Sequence, residues 1–263
     1  MRQKSIFKNR IIRYNSTMLE LILLVFTGIA TGFLNVMAGG GSMLSLPVMI
    51  FLGIPGTIAN GTNRIAILTQ NISAVWAFYR KGVANFRLSL TLSACTIPGS
   101  IIGAWLAAGI AHEQFNTVLA MVMVMVLIVM ALPEKKNQNH SSQTNRQRTI
   151  AGHLLMVLIG FWGGFIHIGV GFLLMPVLNR VMQLDLVTTN AHKVFIVLSY
   201  TIVALLVFSS QIELIWKYGL ALGIGTWLGA WLAANMQVKK GIGPIKITLN
   251  LVIVAFIIKL LFF

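Results

Sequence analysis

Long apolar runs dominate the chain, and most of them have the length of a membrane-spanning helix. About 20 residues at ~1.5 Å each match the hydrocarbon thickness of a bilayer. The long runs cover residues 19–38, 58–79, 88–110, 115–132, 150–168, 186–208, 214–236 and 245–262, and the short ones cover 43–52 and 172–181. The pattern predicts an all-α integral membrane protein with about eight transmembrane helices. Each short piece is either a re-entrant helix or part of a broken span.

The order of these elements occurs twice, which predicts an internal duplication. GSIIGAWLAA at residues 99–108 matches GTWLGAWLAA at residues 225–234 in seven of ten positions. Pro47 and Pro176, in the two short pieces, lie 129 residues apart. We therefore expect two repeats of four helices, each with a short broken or re-entrant helix after its first span. The predicted organisation is a basic cytoplasmic tail (1–17), a first repeat (18–132), a cytoplasmic linker (133–149) and a second repeat (150–263).

Composition agrees with a membrane protein and argues against a soluble one. Hydrophobic residues make up 57% of the chain and charged residues only 10%, whereas soluble domains carry roughly 25% charged residues. The chain has 20 Lys and Arg against five Asp and Glu. Most of these basic residues lie in the N-terminal tail and in loops between apolar runs, which is the positive-inside pattern and not a nucleic-acid surface.

The basic loops predict an orientation in a cell (inner) membrane. Basic residues cluster in the tail, in the loop from Arg80 to Arg87, and in the linker. We expect all three, and both termini, to be cytoplasmic. With four crossings per half, the two repeats would then be parallel and related by an axis along the membrane normal.

Polar and helix-breaking residues interrupt the apolar pattern after the first span of each half. The triplet Gly39, Gly40 and Gly41, followed by Ser42, could be a packing notch, or its freed amides could form an anion site. Paired interruptions in two halves indicate the substrate site of a transporter. The candidate substrate-binding residues are Gly39, Gly40, Gly41, Ser42, Asn60, Thr62, Asn63, Arg64, Asn190, His192 and Lys193.

Two cations stand out in this set because a charge at membrane depth is costly and usually functional. Arg64 and Lys193 lie 129 residues apart, at equivalent positions of the duplication. Either both side chains extend to the membrane interface, or both supply positive charge to a bound anion. No acid lies near Arg64, and Asp185 is the only one near Lys193. A buried cation without an internal counter-ion requires an external one, so we expect a small anionic substrate.

Other chemistry receives little support. His167 lies at the break after the fifth span and is either a core histidine or a proton-coupling group. The five histidines and the single cysteine, Cys95, show no metal-ligand spacing, and no nucleotide-binding loop is present. We therefore expect no metal, no cofactor and no nucleic-acid partner, and a homo-oligomer is left open.

At these motifs the chain resembles the sulfite exporter TauE/SafE family of membrane permeases. The resemblance rests on GGGSMLSLP after the first span, the GIP turn, ANGTNR, the Arg80-Lys81-Gly82 loop and GSIIGAWLA. It implies passage of small sulfur-containing anions such as sulfite, sulfoacetate or related organosulfonates. In the second half, TTNAHK stands where such proteins more often carry a GTS-like sequence.

Two classes of function follow from the sequence. The first is a secondary transporter (permease or exporter) for a small anion, expected to be sulfite or an organosulfonate. The second is an intramembrane enzyme or a membrane assembly factor without transport activity. An enzyme would need a cluster of acid–base groups or metal ligands, and five scattered acids do not provide one. We therefore predict that the protein is not an enzyme.

Overall fold

The computed structural model describes residues 17–83, 86–131 and 146–240, and every regular element in these ranges is helical. The helices are α1 (Met18–Ala38), α2 (Ser42–Phe51), α3 (Gly56–Arg80), α4 (Phe86–Gly109), α5 (His112–Ala131), α6 (Arg146–Phe165), α7 (Val170–Pro176, continued by a π-helix, Val177–Val181), α8 (Leu186–Gln211) and α9 (Trp216–Lys240). Met18–Ala38, Arg87–Gly109, Arg148–Phe165 and Leu186–Gln211 are long and apolar enough to cross a membrane. The predicted last span, the tail and most of the linker lie outside the described residues.

Local sequence explains where these helices begin and end. Thr17 and Glu20 form a capping box at the start of α1, which satisfies amides that have no partner inside the helix. Asp185 caps α8 by accepting hydrogen bonds from the amides of Val187 and Thr188, each at 3.0 Å. Gly39 ends α1 in the left-handed conformation, with φ of 83°, which glycine adopts without steric cost.

The short helix α2 folds back along α1 and does not continue it. The amide of Gly41 donates to Asn35 Oδ1 at 3.1 Å, and a Cβ on Gly41 would lie 2.0 Å from the carbonyl oxygen of Thr31. Further along, Met49 packs in the same apolar cluster as Leu24. The α1–α2 pair is therefore a helical hairpin with its tip at residues 39–41. In the same way, α7 returns along α6, since a Cβ on Gly152 would touch the side chain of Met182.

Glycines pair the first helix of each half with a helix of the other half. A Cβ on Gly225 of α9 would lie 2.0 Å from the carbonyl oxygen of Val25 in α1. A Cβ on Gly99 of α4 would lie 2.1 Å from that of Val157 in α6. Backbones can approach this closely only where side chains are absent. The two GxxxG segments, Gly99–Gly103 and Gly225–Gly229, therefore serve helix packing.

The contacts also give the direction of each helix. Helices α1, α3 and α9 run parallel. In α1 and α9, Gly28 contacts Leu222 and, one turn further along both helices, Gly32 contacts Thr226. In α3 and α9, the hydroxyl of Thr69 donates to the carbonyl of Gly223, and that of Ser73 donates to the carbonyl of Trp227. Helices α4, α6 and α8 also run parallel to one another. In α4 and α6, Gly99 contacts Val157 and Gly103 contacts Phe161. In α4 and α8, Ser89 contacts His192 and Ser100 contacts Tyr200.

The two sets run in opposite directions. A Cβ on Gly61, near the start of α3, would lie 3.1 Å from the ring of Phe208, near the end of α8. Helices α1 and α6, the first helices of the two halves, are therefore antiparallel. The predicted parallel relation of the halves is wrong, because each short helix returns to the end from which its hairpin entered.

The bundle accordingly has two chemically different ends. One end, called the acidic end, carries Glu20, Glu113 and Glu213; the other, called the basic end, carries Arg80, Arg87, Arg148 and Arg180. The chain enters α1 at the acidic end, whereas the helices on either side of the predicted Arg80–Arg87 loop, α3 and α4, end and begin at the basic end. The N-terminal end and that loop cannot both be cytoplasmic in a membrane-spanning bundle, so this part of the predicted orientation is wrong.

We expect Gly103→Ala to destabilise the fold, because its Cβ would lie 2.1 Å from the carbonyl oxygen of Phe161. Overpacking of this kind costs about 1–3 kcal/mol. Gly109→Ala on the same helix is the matched control, since nothing lies within 4 Å of its Cβ. Thermal unfolding in detergent should show a lower midpoint for Gly103→Ala alone. Equal midpoints for the two variants would contradict the close α4–α6 packing.

We also expect Met18 and Gln211 to lie on one side of the membrane and Arg148 on the other. All three side chains are exposed at the ends of the bundle. Single cysteines at these positions in a Cys95→Ala background would be treated in intact cells with a membrane-impermeant maleimide. Met18→Cys and Gln211→Cys should behave alike and opposite to Arg148→Cys. Different labelling of the first two would contradict the antiparallel arrangement.

Candidate functional site

The tips of the two helical hairpins meet in the interior of the bundle. A Cβ on Gly39 would lie 2.5 Å from the Cα of Gly171, and a Cβ on Gly171 would lie 2.2 Å from the Cα of Gly39. A small cavity of about 10 Å³ lies at this contact, which is room for about one water molecule. Its polar lining comes from Asn35, Gln70, Asn71, His167 and Lys193.

Amide side chains fix the first hairpin tip to α3. Asn35 Nδ2 donates to Gln70 Oε1 at 3.1 Å and to Ser42 Oγ at 3.4 Å, while Asn35 Oδ1 accepts from the amide of Gly41. Asn71 Nδ2 donates to the carbonyl of Ile67 at 2.7 Å. Asn35, Ser42, Gln70 and Asn71 are all buried. This network gives the cavity a wall of neutral hydrogen-bonding groups.

Lys193 supplies the positive charge of the cavity. Its side chain is only 3% exposed, and its Nζ donates to the carbonyls of Val36 at 2.9 Å and Asn35 at 3.2 Å. These carbonyls belong to the last turn of α1, where a helix lacks internal donors and has a negative dipole end. An ammonium group has three protons to donate, so one remains for a ligand in the cavity.

Arg64 donates to carbonyls at the end of α6, as Lys193 does at the end of α1, but Arg64 does not line the cavity. Its two Nη atoms donate to the carbonyls of Gly163 and Gly164, the latter at 2.7 Å, and its guanidinium lies 5.3 Å from the ring centroid of Phe208. Asn60 Nδ2 donates to the carbonyl of Phe165 at 2.8 Å. The pair of cations is therefore not brought together: each binds a helix end contributed by the opposite half.

His167 links the second hairpin tip to α8. It adopts the left-handed backbone conformation, with φ of 62°, which is uncommon for a residue with a side chain and is often found at functional sites. Its Nδ1 lies 2.7 Å from the hydroxyl of Tyr200. Both side chains are buried, and His167 also lines the cavity. The imidazole of His167, which lies just before α7, is therefore beside the space that Lys193 faces.

The other predicted site residues occupy several places. Gly40 lies at the first hairpin tip, where its carbonyl accepts from the amide of Met43. Thr62 Oγ1 accepts from the amide of Ile215 at 3.1 Å, which joins α3 to the start of α9. His192 Nδ1 lies 2.7 Å from Ser89 Oγ, and Asn190 Nδ2 donates to the carbonyl of Leu186. Asn63 is buried on α3.

Asp185, the acid nearest to Lys193 in the sequence, serves α8 and not the cavity. Burial raises the pKa of its carboxyl group, but hydrogen bonds from Thr188 and Val187 outweigh this effect and leave the pKa below its ordinary value. Its carboxylate is therefore a stable N-cap. The hydrogen bonds of the Lys193 ammonium go to carbonyl groups instead.

The sequence identified some cavity residues and missed others. Gly39, His167 and Lys193 line the cavity, whereas the lining residues Asn35, Gln70, Asn71 and Gly171 were not among the candidates. Tyr200, which contacts His167, was not among them either. A signal for three of them was present, since Asn35, Gln70 and Asn71 are amides inside apolar runs. Tyr200 could not be found in this way, because a lone tyrosine in a span has many roles.

No group of three or more histidine, cysteine or acidic side chains that could hold a metal ion occurs within residues 17–83, 86–131 and 146–240. Cys95 is a free, partly buried cysteine. The chemistry of the described site is that of hydrogen-bond donors around a cation. Such a set can bind an oxyanion.

Comparison with known proteins shows which family the chain is similar to. Residues 24–260 match the model of the family described as "Sulfite exporter TauE/SafE". The chain is 29% identical over 242 residues to "Probable membrane transporter protein ORF9" of a Sinorhizobium species, covering 92% of each chain. It is 25% identical over 227 residues to "Probable membrane transporter protein YfcA" of Escherichia coli K12, covering 85% of this chain and 82% of that protein. No solved structure matches.

We expect Arg64→Ala to destabilise the protein strongly, because it leaves the carbonyls of Gly163 and Gly164 without their donor. Each unsatisfied buried group costs about 1–3 kcal/mol, so the total for the two carbonyls should be about 2–6 kcal/mol. Arg80→Ala is the matched control on the same helix, since Arg80 is exposed and lies over the ring of Trp76. Denaturant unfolding in micelles would measure both. A loss for Arg64→Ala no larger than the control would contradict this structural role.

Proposed function

The chain belongs to the sulfite exporter TauE/SafE family, and we propose that it is a secondary transporter for a small oxyanion, sulfite or an organosulfonate. The observation that carries this proposal is the cavity between the hairpin tips, where Lys193 faces buried amides and His167 and has no acidic partner among the residues that the structure describes. The described hydrogen-bond partners of Lys193 are backbone carbonyls, so a protonated side chain has no counter-ion among them. An anion is the ligand that would compensate this charge.

The two cations have separate roles in this proposal. Lys193 binds the substrate, because it lines the cavity and retains a proton to donate. Arg64 secures the end of α6 through its Nη atoms. His167 is a proton-coupling candidate, since it shares the cavity with Lys193 and its Nδ1 contacts Tyr200. The hairpin tips meet through the backbones of Gly39 and Gly171, beside the cavity that the anion would enter.

The transporter would be built from two inverted repeats of four long helices, each with its hairpin. The glycine contacts support this arrangement, because α1 packs on α9 as α6 packs on α4. Inverted repeats with a site between broken helices suit alternating access, in which one unit rocks against the other. At about 10 Å³ the cavity is too small for an oxyanion. The described conformation would therefore be a closed one, and the hairpin tips must separate to admit substrate.

The basic end is the proposed cytoplasmic side of a cell (inner) membrane. Arg80, Lys81, Arg87, Arg148 and Arg180 lie there, against Lys217 among the described residues of the acidic end. The basic residues of the tail, which precedes α1 in the sequence, count against this orientation. Short loops rich in Lys and Arg stay in the cytoplasm. With this orientation the N-terminal end of α1 is outside.

We expect sulfite and sulfoacetate to raise the melting temperature of the purified protein, and Lys193→Met to remove this effect. A hydrogen bond to a charged group contributes about 1.5–3 kcal/mol, which corresponds to about ten- to more than hundredfold in the half-saturating anion concentration. Methionine keeps most of the side-chain volume, and Lys217→Met at an exposed position is the matched control.

Transport in proteoliposomes would test the same variants. Lys193→Met should raise the half-saturating concentration of the anion, while Lys217→Met should behave as the parent protein. An unchanged half-saturating concentration in Lys193→Met would remove this residue from the site. Absence of any anion effect on the unmodified protein would argue for an assembly factor or an intramembrane enzyme.

A further inference from the structure

Three buried polar side chains near the cavity carry atoms without a hydrogen-bond partner. They are both amide atoms of Asn63, the hydroxyl of Thr201 and the Nε of Arg64, in residues that are at most 1% exposed. A buried polar group without a partner costs about 1–3 kcal/mol. Native proteins contain few such groups, and each one calls for an explanation such as a ligand or water.

Helical spacing places Asn63 and Thr201 on the faces that line the cavity. Asn63 lies seven residues before Gln70 on α3, which is two turns along the same face. Thr201 lies four residues after Val197 and seven after Val194 on α8, and both valines line the cavity. In each helix the displacement is toward the acidic end. The polar lining therefore continues beyond the cavity in one direction.

The packing of α3 against α8 sets these residues at a common level. Gly61 contacts Phe208 near the acidic end, and Ile67 packs with Val197 and Tyr200 nearer the cavity. Asn63 and Thr201 both lie between these two levels. Arg64 follows Asn63 directly, and its guanidinium lies over the ring of Phe208.

We propose that Asn63, Arg64 and Thr201 form a second, outer anion position, so that substrate passes between α3 and α8 on its way to the acidic end. This proposal rests on the proposed transport of an oxyanion. The amide Nδ2 of Asn63, the hydroxyl of Thr201 and the Nε of Arg64 are three hydrogen-bond donors, and no carboxylate of a described residue is found with them. Two neutral donors beside a guanidinium suit an oxyanion, and the guanidinium would repel a cation.

Reaction of a cysteine at position 201 with small charged thiol reagents tests this path. Thr201→Cys in a Cys95→Ala background should react with the anionic reagent sulfonatoethyl methanethiosulfonate, which is itself a small sulfonate. It should react about tenfold more slowly with the cationic trimethylammonium analogue, after correction for their rates with a free thiol, because Arg64 repels the cation. Ala204→Cys is the matched control, since Ala204 is equally buried but packs against Ala104 and Ala107.

Each outcome bears on a different part of the proposal. No reaction at position 201, or equal reaction at 201 and 204, would overturn the outer position, as would equal rates with the two reagents. Sulfoacetate should slow the anionic reagent at position 201 if both proposals hold. A preference for the anionic reagent without protection by sulfoacetate would support the anion path and count against an organosulfonate as substrate.

Discussion

The structure depends on how helix ends are satisfied inside an apolar bundle. Helices α1 and α6 stop within the protein, so their last carbonyls cannot obtain donors from bulk water. Only some have a backbone donor, such as the carbonyl of Asn35, which accepts from the amide of Gly39. Lys193 from the second half donates to the end of α1, and Arg64 from the first half donates to the end of α6. Each cation replaces donors that the broken helix lacks, and each connects the two halves. A break in a helix and a buried charge thus stabilise one another.

The glycine contacts have the same cross-connected arrangement. Helix α1 packs closely on α9, and α6 packs closely on α4, so each hairpin is attached to a helix of the opposite half. A hairpin tip therefore cannot move independently of that partner helix. The contact of Gly39 with Gly171 lies between the α1–α9 pair and the α4–α6 pair.

The two ends of the site differ in the kind of donor that they offer. The cavity combines an ammonium group with neutral amides. Arg64 offers its Nε as a donor, because its two Nη atoms already donate to backbone carbonyls. A fixed guanidinium and a lysine with an unused proton give positive charge at two depths. An anion moving between them would remain near a cation along the way, which lowers the cost of crossing an apolar interior.

The sequence by itself determined the described helices, because hydrophobic run length and glycine or proline breaks are local properties. It also identified Lys193, Arg64 and His167, because ionisable residues in apolar runs are rare. It could not determine that α2 folds back along α1, since re-entrant and broken helices have the same composition. That one choice reversed the predicted relation between the halves. Nor could it separate the two cations, which occupy equivalent positions along the chain. Only the tertiary structure decided that Lys193 faces the cavity and Arg64 does not, because the amides of Asn35, Gln70 and Asn71 surround one of them and helix-end carbonyls and Phe208 surround the other.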